Sequence, residues 1–101
     1  MNETILKIKR GKFPKKYTAI VQDKKTKTTR VLHFGDQRYQ QYKDRTNLNL
    51  YGRKNHGDRK RMKNYYSRHS GTKNKTDAIK QEIEKSDGYY NSKILSHKYL
   101  W

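Results

Sequence analysis

The sequence predicts an α+β fold: one small domain in which an N-terminal β-hairpin, or a three-stranded meander, is followed by two to three short helices. Three observations point there. Residues 17–22 and 28–34 are rich in β-branched and aromatic side chains and flank the polar stretch 23–27, the pattern of two strands and their turn. Met62, Tyr65, Tyr66 and His69 recur at helical spacing between Asp58 and Gly71, which suit the two ends of a helix. Tyr89, Tyr90, Ile94, Leu95, Tyr99, Leu100 and Trp101 make the last stretch too apolar to hang in water.

Taken in order, Ile5, Leu6 and Ile8 suggest a short strand over 5–9, ended by Gly11 and Pro14. Residues 1–14 then form a basic N-terminal arm or edge strand, and residues 15–101 the domain. In the hairpin, Tyr17, Ala19 and Val21 share one face and Thr18, Ile20 and Gln22 the other. Alternation alone does not choose between two partly apolar faces. Asp36 is placed to cap a short helix carrying Tyr39 and Tyr42. Asn47, Asn49, Gly52, Asn55 and Gly57 mark a turn-rich loop anchored by Leu48, Leu50 and Tyr51. A helix then runs from its cap Asp58 to His69, stopped by Gly71. Residues 72–75 read as a polar linker, Thr76 or Asp77 as the cap of a helix bearing Ile79 and Ile83, and Asp87-Gly88 as its stop. The aromatic C-terminus is expected to dock on the domain.

Composition bounds the interior. Leu, Ile, Val and Phe number only 16 of 101 residues, so nine Tyr and one Trp must supply much of the burial. Without Cys there is neither a disulfide framework nor thiolate metal ligation, and intracellular life is the default expectation. The N-terminus lacks the apolar stretch of a secretory signal, and no span approaches the roughly 20 apolar residues of a membrane helix. A soluble chain, not an integral membrane protein, is expected.

The formal net charge of +17 over 101 residues is the strongest functional signal. Solubility is met by a magnitude of about 2–8 in a small domain, and the surplus costs self-repulsion. The charge is also segregated: +8 over residues 1–35, +9 over residues 36–75, and none over residues 76–101. One face meeting a polyanion explains that division. The best candidate surface is the basic helix with Arg59, Lys60, Arg61, Lys63 and Arg68, preceded by Arg53 and Lys54. Arg there would give forked phosphate contacts and Lys point charges. The hairpin turn with Lys24, Lys25 and Lys27, together with Arg30, is a second candidate, a basic finger. Lys7, Lys9, Arg10, Lys12, Lys15 and Lys16 form a basic arm that would clamp nucleic acid or merely solubilise the chain.

Enzymatic readings have little to stand on. His56-Gly57-Asp58 invites the thought of a metal-dependent nuclease, but the four His and nine acidic residues show no ligand spacing of a known kind. Phosphate-binding glycine loops and nucleophile elbows are absent. No catalytic residue, metal or cofactor is expected; His33 reads as a strand residue and His69 as a helix-end residue favoured by the dipole.

Several segments in order resemble a known family: residues 15–19 (Lys-Lys-Tyr-Thr-Ala), 31–35 (Val-Leu-His-Phe-Gly), 41–44 with Thr46 and Tyr51, 56–61 with Asn64, Tyr65, Arg68 and His69, and 95–101. The set is similar to small basic proteins of unknown function encoded by large nucleocytoplasmic DNA viruses, including algal and amoebal giant viruses. The resemblance covers roughly residues 15–69 and the last seven, and residues 72–91 are less typical. It implies a viral origin, and location in the virion and in the infected cell, whether a cytoplasmic factory or the nucleus. It implies no reaction. Charge and resemblance together predict a non-enzymatic, sequence-tolerant nucleic-acid-binding protein that organises or packages a viral genome, with DNA favoured over RNA. The alternative is a minor capsid or virion-internal component binding acidic coat protein or membrane surfaces, with a nuclease a distant third.

Overall fold

Three strands precede three helices in the computed structural model, which describes residues 1–101. They are β1 (Glu3–Arg10), β2 (Lys15–Asp23), β3 (Thr29–Asp36), α1 (Arg59–Ser70), α2 (Lys75–Lys85) and α3 (Ser92–Tyr99), with a 3-10 turn at Gly52–Lys54. The strands form an antiparallel meander in the order β1-β2-β3. The predicted hairpin is present, and β1 completes the meander.

The register sets Tyr17 opposite Phe34 and Ala19 opposite Leu32, so one face carries a continuous apolar row. Helix α3 and the residue after it lay Ile94, Leu95 and Leu100 on that row, and Tyr17, Ala19 and Val21 have no exposed surface. The covering helix thus chooses the face that alternation left open. On the opposite face no helix packs, and Leu6, at an irregularity in the β1–β2 register, is 52% exposed and Val31 57%.

β1 starts two residues before the predicted strand because Glu3 is held. The Arg30 fork donates to both Glu3 carboxylate oxygens at 2.8 Å each and to the Tyr90 carbonyl at 2.8 Å. The Tyr90 amide in turn donates to Glu3 Oε1 at 2.9 Å. One ion pair therefore joins β1, β3 and the lead-in to α3.

The helix predicted over Tyr39 and Tyr42 does not form. Asp36 instead closes a turn on itself, accepting the Arg38 amide at 2.9 Å and the Arg38 side chain at 3.0 and 2.7 Å. Gln41 then spends its backbone on a bridge to Asn55, and its buried side chain donates to Tyr51 O and Asn55 Oδ1, both at 2.7 Å. A helix would withdraw Gln41 from these partners. Asp44, also buried, accepts from the Tyr17 hydroxyl, from Thr46 Oγ1 at 2.6 Å and from the Tyr51 amide at 3.2 Å. Residues 37–58 are pinned by side chain–backbone bonds where secondary structure is missing, and only the Tyr51 hydroxyl and His56 Nε2 are buried there without a partner. Of the predicted anchors Tyr51 is buried and Leu50 half-buried, whereas Leu48 is exposed.

Helix α1 begins and ends as predicted: Asp58 Oδ1 accepts from Lys60 N at 2.9 Å and Arg61 N at 3.2 Å, and Gly71 is left-handed with φ 68°. The cap of α2 is Asn74, not Thr76 or Asp77; its Oδ1 accepts the Asp77 amide at 3.1 Å. Thr76 and Asp77 lie inside the first turn, where the Asp77 charge favours the helix dipole. The C-terminus docks as expected, with Leu100 buried. Tyr65, Tyr66 and Ala78 form a second, smaller cluster with Met62 and Trp101 against it. No helix is long and apolar enough to cross a membrane.

Candidate nucleic-acid interface

Between the outer side of α1, the N-terminal and C-terminal parts of α3, and the end of β3 lies a cleft of about 700 Å³. Lys15, Lys16, Arg61, Arg68 and Lys93 line it, and Asp36 is its single acidic residue. That carboxylate is already bound by Arg38 at 2.7 Å, whose guanidinium holds it well below the usual carboxylate range. A shallower recess of about 500 Å³ adjoins on α1, lined by Arg61, Asn64, Ser67, Arg68 and Trp101. Arg61, Arg68 and Trp101 form the wall common to both. Clefts lined by one sign of charge within low-dielectric walls concentrate the potential and attract the opposite charge.

The cations differ in freedom. Arg68 pairs with no carboxylate, and Arg61 donates only to Gln40 Oε1 at 2.9 Å. Lys93 is partly engaged, with Nζ 3.5 Å from Glu82 Oε1 and 3.3 Å from the His69 carbonyl. Lys16 is buried and donates to Gln41 Oε1; burial lowers its pKa to about 8, against the opposing pull of Asp44. His69 also lines the cleft, and burial, then Arg68 and Lys93, lower its pKa. His69 lies in the last turn of α1, the helix-end position expected of it. His33, the expected strand residue, bonds Thr18 Oγ1 through Nδ1 at 2.9 Å.

Aromatic packing fixes the α1 wall. Tyr65 and Trp101 are stacked at 4.3 Å with planes 4° apart, and Trp101 also meets His56 at 5.2 Å. Behind them sits His97, fully buried. The Tyr65 hydroxyl lies 2.9 Å from its Nδ1 and Ser70 Oγ 2.9 Å from its Nε2, and Ser70 Oγ donates to Glu82 at 3.3 Å. One direction satisfies the whole chain: Tyr65 O–H to Nδ1, Nε2–H to Ser70, and Ser70 O–H to Glu82. It requires a neutral imidazole, and burial lowers the His97 pKa to about 4. Ser70 and His97 do not make a hydrolytic pair, because Nδ1 accepts from a phenol where a triad needs it to donate to a carboxylate.

The remaining sequence candidates scatter. Arg59, Lys60 and Lys63 are exposed on α1, while Arg53 and Lys54 occupy the 3-10 turn before it. Lys24, Lys25 and Lys27 lie in the β2–β3 turn, at the far end of strands about 25 Å long, where Asp23 Oδ1 accepts the Lys25 amide at 2.8 Å and the Thr26 amide at 2.9 Å. Arg30 is committed to Glu3. The cleft thus unites Arg61 and Arg68 with Lys15 and Lys16 of the basic arm and leaves the turn lysines out. Lys93, Tyr39 and Trp101 were not among the candidates. Register is the signal that locates Lys15, since it pairs with Asp36 just ahead of the loop that leads to α1; nothing in the neutral tail singles out Lys93. His56 and Asp58 serve the local turn, with the Asp58 amide donating to His56 Nδ1 at 2.9 Å, and no group of three His, Asp or Glu side chains is placed to hold a metal ion.

Compared with protein-family models, with curated proteins and with solved structures, the chain matches none.

Proposed function

We propose that the protein is a non-enzymatic, sequence-tolerant nucleic-acid-binding protein that uses the cleft and the outer side of α1 as its contact surface. The observation that carries this reading is the cleft's lining: five Lys and Arg residues against one carboxylate that is already paired. Such a lining needs anions to offset it, and phosphates at close spacing supply them with counterion release as the driving force. Arg61 and Arg68 suit forked contacts, Lys15 a point contact. Contacts to phosphate alone carry no sequence information, in keeping with a sequence-tolerant role. The resemblance to small basic viral proteins would make the ligand a viral genome and the role its organisation or packaging.

Fluorescence anisotropy with a labelled mixed-sequence oligonucleotide at several salt concentrations tests the reading. With about five phosphates engaged, the logarithm of the binding constant should fall against the logarithm of salt with a slope near −3.5 to −4.5. A flat response overturns it. For the genomic role, the protein should remain in purified particles after external nuclease treatment and co-purify with their DNA.

A further inference from the structure

The mouth of the cleft carries a ring that the fold does not use, and a second such ring stands at the same end of the sheet. Tyr39 is 65% exposed and Phe13 68%. They sit at the same end of the sheet because the Gln37 amide donates to Pro14 O at 2.8 Å and Gln37 Nε2 to Lys15 O at 2.9 Å. The neighbour of the Tyr39 ring is a cation, Arg38, whose Cζ lies 5.8 Å from the ring centroid. Across the cleft Trp101 is the third ring, resting on Tyr65 at 4.3 Å and sharing the smaller recess with Arg61 and Arg68. Lys15, Arg61 and Arg68 line the cleft with Tyr39 and Trp101, so aromatic and cationic side chains share its walls.

That combination of rings and cations distinguishes between forms of nucleic acid. A duplex hides its base faces against one another and offers a ring only edges and sugars, whereas an unpaired strand exposes a face at every base and a phosphate between each pair. The surface is also hollow: the cleft holds about 700 Å³, and Lys15, Arg61, Arg68 and Lys93 line its walls. A flexible single strand can follow such a hollow, and a rigid duplex meets only its rim.

We propose that the cleft binds single-stranded nucleic acid in preference to duplex, with bases stacked on Tyr39 and Phe13 and the backbone running along Lys15, Arg61 and Arg68. This rests on the nucleic-acid reading above and narrows it. The rings face outward, so they stack on any base, in keeping with sequence tolerance.

The test compares a labelled mixed-sequence 12-nucleotide strand with its own duplex by anisotropy in one buffer. The full chain should bind the single strand at least about 10-fold more tightly; base–aromatic stacking is worth roughly 5- to 150-fold per base. The double variant Phe13→Ala with Tyr39→Ala should lose about 10-fold or more on the single strand and less than about 2-fold on the duplex, while Tyr39→Phe keeps wild-type affinity. Both rings are exposed, and unchanged thermal unfolding of the variants confirms that the fold is kept. Equal affinity for strand and duplex, or a double variant unimpaired on the single strand, overturns this inference and leaves nucleic-acid binding standing. Binding to neither form removes both.

Discussion

The β2–β3 turn and the α1 cleft draw on the same residue types and come out opposite. The turn presents Lys24, Lys25 and Lys27 on a convex tip, with Asp23 folded into it and Glu3 neutralising Arg30 beside it. Asp87 stands close too, its carbonyl accepting from Asn2, whose own carbonyl accepts the Lys24 amide at 2.9 Å. The cleft sets five cations around a hollow with one spent carboxylate. A linear count of lysines rates the two alike; what separates them is curvature and the company of acids, because a convex, hydrated tip is screened within a Debye length while a walled hollow focuses its field.

Charge reversal should expose the contrast most strongly. Arg61→Glu with Arg68→Glu should weaken oligonucleotide binding about 100-fold or more at low salt and flatten the salt slope by roughly 1.4, two single-strand phosphates' worth. Reversing Lys24, Lys25 and Lys27 together should cost less than about 5-fold in the same anisotropy assay. Comparable losses would erase the distinction.

Gly35→Ala attacks the cleft from beneath. Gly35 has φ 76°, and an added Cβ would meet Leu100 Cδ1 at 2.8 Å and Lys16 Cδ at 3.0 Å. Strain and overpacking together should cost about 2–4 kcal/mol in urea unfolding. Gly71→Ala has φ 68° but open space around it, so about 1 kcal/mol is expected.

The two ends should also lose support in different pH windows. The His97 pKa is lowered to about 4 from an ordinary 6.5, so the unfolded chain binds the proton first, and the stability it confers is complete above about 6.5 and lost as pH falls toward 4. This amounts to about 3 kcal/mol, and His56 and His69, lowered as well, act in the same sense. Glu3, at the turn end, is held below its ordinary 4.5 by Arg30; its contribution persists until pH falls below about 4.5. Amide exchange at pH 5 should therefore accelerate in α1 and α2 before it does in β1 and β3.

The smallest effect concerns His69. A bound phosphate would offset Arg68 and Lys93 and raise the imidazole pKa, so affinity should rise about 3-fold from pH 7.5 to pH 6, a gain that His69→Gln abolishes.

Much of this architecture is legible in the chain. The strand pair is specified by β-branched runs around a polar turn, and α1 by its Asp58 cap and Gly71 stop. Local signals fail where partners are distant. Tyr39 and Tyr42 have helical spacing, yet Gln41 and Asp44 gain more from Asn55, Tyr17 and Tyr51 than from a helical ladder. The buried sheet face depends on α3, about 60 residues beyond β3. Among the site residues, Arg61 and Arg68 are readable from the basic helix, but whether a lysine faces a hollow or a tip is a property of the fold. Lys16 reads as one more surface charge and is buried, and Arg30 reads as free and is bound.

The Glu3–Tyr90 hydrogen bond spans 87 positions of the chain, and it times the protein's biogenesis. During synthesis at about 5–20 residues per second, the meander emerges several seconds before α3 exists to cover it, leaving Tyr17, Val21 and Phe34 bare and Glu3 without the Tyr90 amide. Closure of the domain waits for its last tenth, and such long-range contacts slow folding. Nascent chains stalled before residue 90 should thus be the form most open to proteases and to self-association through the uncovered sheet.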